Sequence, residues 1–242
     1  MDFTLKKYKE LLTALKGYGE VTLRHDVDKK PQNSLKTARL ERELGWKAIY
    51  YFRATPKGWD EDVIRQISAM GHDIGYHYES LATCRGDLEA AYRDFCVNLE
   101  KLRTLAPVTS ICMHGCPKLK WDSRDLWKHY DYHQLGIDTE PYLDTDFSQV
   151  FYLTDTGRRW DGFKFSVRDK IPDYQEQWKE KGWVYHRTDD IIKAVEESRF
   201  PKKVMITTHP QRWTDSPLEW LCELLGQSVK NWAKRLLIKK NM

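Results

Sequence analysis

The sequence predicts an α/β protein, a single distorted (β/α) barrel of about seven parallel strands, on three observations. Short apolar runs alternate with longer segments of helical period, reactive side chains recur where the short runs end, and 242 residues suit one barrel-sized core. The reading therefore takes 1–242 as one domain.

The alternation opens at 4–17, where Leu5, Tyr8, Leu11, Leu12 and Leu15 lie at helical spacing until Gly17 and Gly19 stop the segment. An extended run over 20–28 alternates Val21, Leu23 and His25 with Thr22 and Arg24 and ends in two carboxylates, Asp26 and Asp28. Residues 31–45 read as a helix closed by Gly45, and 47–53 as a strand rich in Ile and Tyr. A helix over 60–70, a strand over 72–78, a helix over 88–105 and a strand over 109–114 follow. Between 118 and 181 only a short helix at 123–129 is legible among Gly136, Pro141, Gly157 and Gly162. Order returns with a helix at 188–198, a strand at 203–208, and a helix after Pro217 that carries Trp220, Leu221, Leu224 and Leu225. Strands separated by helices in this way pair parallel.

The net charge of +4 comes from 40 basic and 36 acidic residues spread along the chain, which excludes a dedicated nucleic-acid binder. Only the end is locally basic: Lys230, Lys234, Arg235, Lys239 and Lys240 interleave with Trp232, Leu236, Leu237 and Ile238, the pattern of a solvated terminal helix or of one lying on a membrane surface. The start, Met1-Asp2-Phe3-Thr4-Leu5-Lys6-Lys7, has no signal-peptide core, so a soluble, cytoplasmic protein is expected. Five cysteines without a repeating framework fit a reducing compartment. Cys112 and Cys116 bracket His114, yet a structural zinc site needs a fourth ligand. Ten Trp and thirteen Tyr either fill the core or line a sugar cleft, where ring faces stack on pyranoses.

Reactive residues gather at one kind of place. Asp26 and Asp28 end the first strand, Arg53 the second, His77 the third, His114 the fourth and His209 the last, and parallel α/β folds build their sites at that edge. Two carboxylates two positions apart repel unless a cation lies between them. With a divalent metal, one Asp binds while the other accepts a proton from water. The alternative is an Asp pair capping the helix that starts near Pro31.

These segments resemble the polysaccharide deacetylase superfamily, the family 4-like carbohydrate esterases that share the NodB homology domain, of which the chain would be a divergent member. His25-Asp26-Val27-Asp28 is similar to the family's first motif, in which one Asp is the general base and the other a metal ligand. Gly71-His72-Asp73-Ile74-Gly75-Tyr76-His77 resembles the second, which ends in a metal-binding His. That motif's further His, four residues on, is here Leu81. Its replacement is either His114 or Glu79; His114 is preferred, because imidazole replaces imidazole and Met113-His114-Gly115-Cys116-Pro117 falls where the family has its third motif. Thr207-Thr208-His209-Pro210 is similar to the final motif, followed by Arg212-Trp213 as a wall for a sugar cleft. Asp155-Thr156-Gly157-Arg158-Arg159-Trp160 is either a binding loop or a turn held by an Asp–Arg pair.

The resemblance implies a metal-dependent hydrolase that removes an acetyl group from an N- or O-acetylated sugar or sugar precursor. Asp28, His77 and His114 would hold Zn²⁺, or Co²⁺ or Ni²⁺; Asp26 would be the base and His209 the acid. Arg53, Asp155, Arg158, Trp160, Arg212 and Trp213 are the candidates for binding substrate. Two rivals stand beside it: a metal-independent hydrolase of another C–N bond on the same scaffold, motivated by the lost second-motif His, and a catalytically silent carbohydrate-binding protein.

Overall fold

The computed structural model describes residues 1–116, 119–164, 166 and 169–240, without the side chains of Lys164 and 233–240. Pro117 of the third-motif segment thus lies outside the described residues, as do the side chains of Lys234, Arg235, Leu236, Leu237, Ile238, Lys239 and Lys240. In chain order the elements are α1 (Leu5–Leu15), β1 (Glu20–Val27), α2 (Pro31–Glu43), β2 (Ala48–Phe52), α3 (Glu61–Ala69), β3 (Asp73–Tyr78), α4 (Ser80–Thr83), α5 (Leu88–Arg103) and β4 (Ser110–Met113). They continue with α6 (Pro141–Asp144), β5 (Phe151–Thr154), α7 (Pro172–Glu180), α8 (Thr188–Glu196), β6 (Lys203–Thr208) and α9 (Pro217–Lys240). The architecture is α/β with parallel strands, as predicted. Contacts divide the chain into two compact units, Arg24–Thr145 and Met1–Leu23 with Asp146–Met242, and β1 runs from one into the other.

In the unit Arg24–Thr145 the strands are ordered β4-β3-β2-β1. The register sets Gly75 of β3 between Tyr51 of β2 and Ser110 of β4. Gly75 is required there: a Cβ would sit 2.3 Å from the Tyr51 ring, whose hydroxyl bonds Ser110 at 2.7 Å. Helices begin where side chains supply caps. Asp60 accepts from Val63 N at 3.1 Å to start α3, and Asp87 from Ala90 N at 3.0 Å to start α5. The N-cap of α2 is Lys30, which makes no side-chain capping bond, and Pro31 opens the helix. Phe95 of α5 packs on Tyr76, Tyr78 and Trp127, with centroids 4.7–5.5 Å away, so much of the aromatic load in this unit is core.

In the other unit the order is β1-β6-β5, and α1 packs on α8 and buries the predicted stripe of Tyr8, Leu11, Leu12 and Leu15. Thr4 caps α1 by accepting from Lys7 N at 3.0 Å. Phe151 of β5 stands edge-on to Trp178, Trp183 and Tyr185. No helix among the described residues is long and apolar enough to cross a membrane.

Among the described residues the sheet order holds six strands, where about seven were predicted. The edge of β4 makes a single further bridge, Ser110 with Thr139, and there the run stops. Glu140 turns instead to cap α6, accepting from Tyr142 N at 2.7 Å, and Pro141 has no N–H to extend a ladder.

Candidate active site

Period two places the side chains of Arg24 and Asp26 on one side of β1 and His25 on the other. His25 is buried on Glu41 of α2 at 2.7 Å, with Tyr50 donating to the second Glu41 oxygen at 2.6 Å, so it serves the core. On the opposite side Arg24 donates to both oxygens of Asp26, Nε at 3.2 Å and Nη2 at 3.1 Å, a two-pronged grip that fixes the plane of the carboxylate. Arg24 is itself wedged beside the Tyr142 and Tyr51 rings, 4.8 and 5.4 Å from their centroids. The sequence reading missed Arg24, although its alternation with Asp26 was the available signal.

His77, near the end of β3, approaches both carboxylates: its Nε2 lies 3.6 Å from Asp28 Oδ1 and 3.8 Å from Asp26 Oδ2. Its Nδ1 is 2.9 Å from the Cys112 carbonyl. A carbonyl only accepts, so Nδ1 carries the proton and Nε2 presents a lone pair to the carboxylates. Burial, the largest influence, lowers the His77 pKa to about 4 against the pull of Asp26 and Asp28, so the ring is neutral at pH 7.

His114, just past β4, repeats the arrangement. Its Nε2 is 3.4 Å from the same Asp28 oxygen, and its Nδ1 donates to Glu79 at 2.8 Å. Burial pushes the Glu79 carboxyl up, but the His114 hydrogen bond and the Arg53 guanidinium, 2.6 Å away, outweigh it and hold Glu79 well below the usual range. Cys116 Sγ also donates to Glu79, at 3.1 Å. Among the described residues the donor clusters keep Cys112 with Asp26 and His77, and Cys116 with Glu79 and His114, so the two cysteines do not converge on one zinc.

Asp28, His77 and His114 bring their donor atoms within 4.8 Å of one another, and their chemistry fits a divalent cation. Two imidazole lone pairs aimed at one carboxylate oxygen repel it unless a positive charge lies among them. Both rings have the other nitrogen committed, one to a carbonyl and one to a carboxylate, as metal-binding histidines do. Glu79 occupies the supporting position behind His114. Hence His114→Ala should weaken Zn²⁺ binding far more than Glu79→Ala, whose cost should be about 10–100-fold. Calorimetric titration of both variants checks this, and the reverse order would make Glu79 the ligand.

The His77 ring also predicts a pH dependence for protein stripped of metal. Its folded pKa is depressed, so the unfolded chain takes up the proton first, and stability is lost as pH falls from the ordinary value of 6.5 towards about 4. A drop of 2.5 pH units corresponds to about 3 kcal/mol from this one group. Urea unfolding across this range should show a steeper acid slope for the parent than for His77→Gln; equal slopes would contradict the assignment.

In the other unit His209 follows β6 and is held from several directions. Asp155 accepts from His209 Nδ1 at 2.6 Å and from its backbone N at 3.0 Å. Arg212 Nη1 donates to Asp155 at 2.6 Å, and Trp213 Nε1 at 2.7 Å. Burial pushes the Asp155 carboxyl up, but Arg212 and His209 more than offset this and keep it ionised. These contacts fix the orientation of the His209 ring through its Nδ1 side.

The residues considered for substrate binding separate accordingly. Arg53 braces Glu79, while Asp155, Arg212 and Trp213 brace His209. Trp160 and Trp213 are 2% and 1% exposed and pack with Phe3, so neither offers a ring face to a sugar; this corrects the expected cleft wall. Arg158 lies over Trp220, 4.2 Å from its centroid, and bonds the Trp220 carbonyl at 2.9 Å. The 155–160 segment is a turn, closed by Arg158 N on Asp155 O at 2.9 Å, and its Asp pairs with Arg212.

No family model matches the chain, and no curated protein does. Among solved structures, the chain is similar to Bacillus subtilis PdaA, described as a family 4 carbohydrate esterase. The likeness covers 91% of this chain and 84% of that one, at 12% identity and a TM-score of 0.40.

Proposed function

We propose that this chain is a metal-dependent hydrolase that removes an acetyl group from an N- or O-acetylated sugar or sugar-linked small molecule. Asp28, His77 and His114 are its ligands. The observation that carries the reading is the pair of imidazole Nε2 atoms, 3.6 and 3.4 Å from one Asp28 oxygen, each on a ring whose Nδ1 proton is committed elsewhere. A divalent cation, most simply Zn²⁺, would polarise an acyl carbonyl and make water a nucleophile at neutral pH. Cys112 and Glu79 fix the two rings. Asp26, oriented by Arg24, accepts the proton of the attacking water. His209 donates to the leaving amine or alcohol, and Asp155 stabilises the ring while it carries the proton. The role of His209 rests on the sequence resemblance and on its Asp155 partner. We propose further that 1–242 folds as one domain, because β1 is one unbroken strand through both compact units.

Acetate release from N- and O-acetylated sugars, measured with metal-free and Zn²⁺-loaded protein, tests the reading. Release that requires the metal is expected. Equal release without metal would favour the metal-independent hydrolase, and none from any acetylated sugar would refute deacetylation. His209→Ala should retain the cation, lose turnover and remove the alkaline limb of a bell-shaped pH–rate profile, since an acid must be protonated to act. A variant that keeps that limb would remove His209 from the reaction.

A further inference from the structure

Helix α9 is amphipathic with its faces reversed. Leu218, Leu221, Leu225, Val229 and Trp232, spaced by three or four, form one stripe, and each is between 47% and 77% exposed. The opposite side carries Glu223, Gln227 and Asn231 at intervals of four, turned to the protein body. Glu223 and Gln227 are buried, Asn231 donates to the Gly157 carbonyl at 2.8 Å, and Gln227 donates to Asn231 at 2.8 Å. Trp220 Nε1 donates to the Asp2 carbonyl at 2.7 Å on that inner side, and Arg158 stacks on the Trp220 ring. Polar anchors thus orient the helix so that its apolar stripe faces outward, an arrangement that water alone disfavours.

We propose that the outward stripe of α9 docks on an anionic phospholipid bilayer. Charge selects this occupant. From Leu224 onward the chain has no acid, whereas Lys230, Lys234, Arg235, Lys239 and Lys240 follow one another towards the end. Leucines, a valine and a tryptophan beside a run of lysine and arginine match the interface between acyl chains and negative headgroups. A second copy of the chain fits less well. A parallel pair would set the five cations against their counterparts, and a fully overlapping antiparallel pair would lay them over Pro217–Gln227, where Glu223 is buried against the body and Glu219 is the one other acid. The inference does not depend on the deacetylase reading.

Flotation of the full chain with phosphatidylcholine vesicles, with and without phosphatidylglycerol, tests it. The chain should float with the anionic vesicles at least about tenfold more than with phosphatidylcholine alone, and raised salt should release it. Leu225→Asp combined with Val229→Asp should lose this binding by about tenfold or more. Both side chains are exposed, so thermal unfolding and circular dichroism should match the parent. Lys234→Glu with Arg235→Glu should weaken binding to anionic vesicles without changing the weak binding to neutral ones. Absence of binding to anionic vesicles, or equal binding by the Asp variant, would overturn the proposal. So would a dimer in sedimentation velocity that Leu225→Asp dissociates while vesicles bind nothing; the stripe would then belong to a second copy.

Discussion

Asp26→Asn is expected to keep its cation and lose turnover by about 10²–10⁴-fold, the range that removing a general base spans. The amide is nearly isosteric with the carboxylate but cannot take the proton of the attacking water. Arg24 grips both Asp26 oxygens at 3.1–3.2 Å, so one prong will meet an NH₂ group in the variant and the side chain will settle with its oxygen on the other. The three proposed ligands are untouched by that change. Metal content and turnover measured on one preparation therefore separate a base from a ligand. Loss of the ion together with activity would make Asp26 a ligand and exchange the roles of the two aspartates; full activity on an authentic substrate would remove it from the reaction. Arg24→Met should reproduce much of the loss in turnover through a misplaced Asp26, with a kcat effect larger than the KM effect.

His77→Ala is the second large effect. The ring is buried, and its removal takes away a proposed ligand together with the hydrogen bond that Cys112 O accepts at 2.9 Å. Zn²⁺ affinity should fall beyond the roughly 100-fold that marks loss of a merely supporting group, and activity should fall with it. His77→Gln provides the control for folding, since its amide can still donate to the Cys112 carbonyl. If His77→Gln is folded and binds Zn²⁺ as well as the parent, His77 is not a ligand.

The parts of this arrangement that sequence makes legible follow from strict periods and from placement at strand ends. Asp26, Asp28, His77 and His114 stand out because each closes a run of β character, and the structure brings all four together. Arg24 was overlooked because an arginine inside an alternating strand reads as a solvent-facing residue, whereas here it is buried beneath two tyrosine rings. Glu79 was visible as a donor but not as a support, since only the fold brings Arg53 and His114 to its two oxygens. Strand β5 and helix α7 left little signal: β5 is buried on both faces and so does not alternate, and α7 buries one side chain, Trp178, so it has no stripe. The tryptophans near His209 looked like a sugar-binding surface because composition does not distinguish a ring in a core from one in a cleft.

Titration of chelator-stripped protein with Zn²⁺ by calorimetry, beside the Asp28→Ala and His77→Ala variants, most directly tests whether Asp28, His77 and His114 form a cation site. The account predicts binding at about one ion per chain for the parent and loss of that binding in both variants. It would be contradicted by a parent that binds no Zn²⁺, or by variants that bind it with unchanged stoichiometry and affinity.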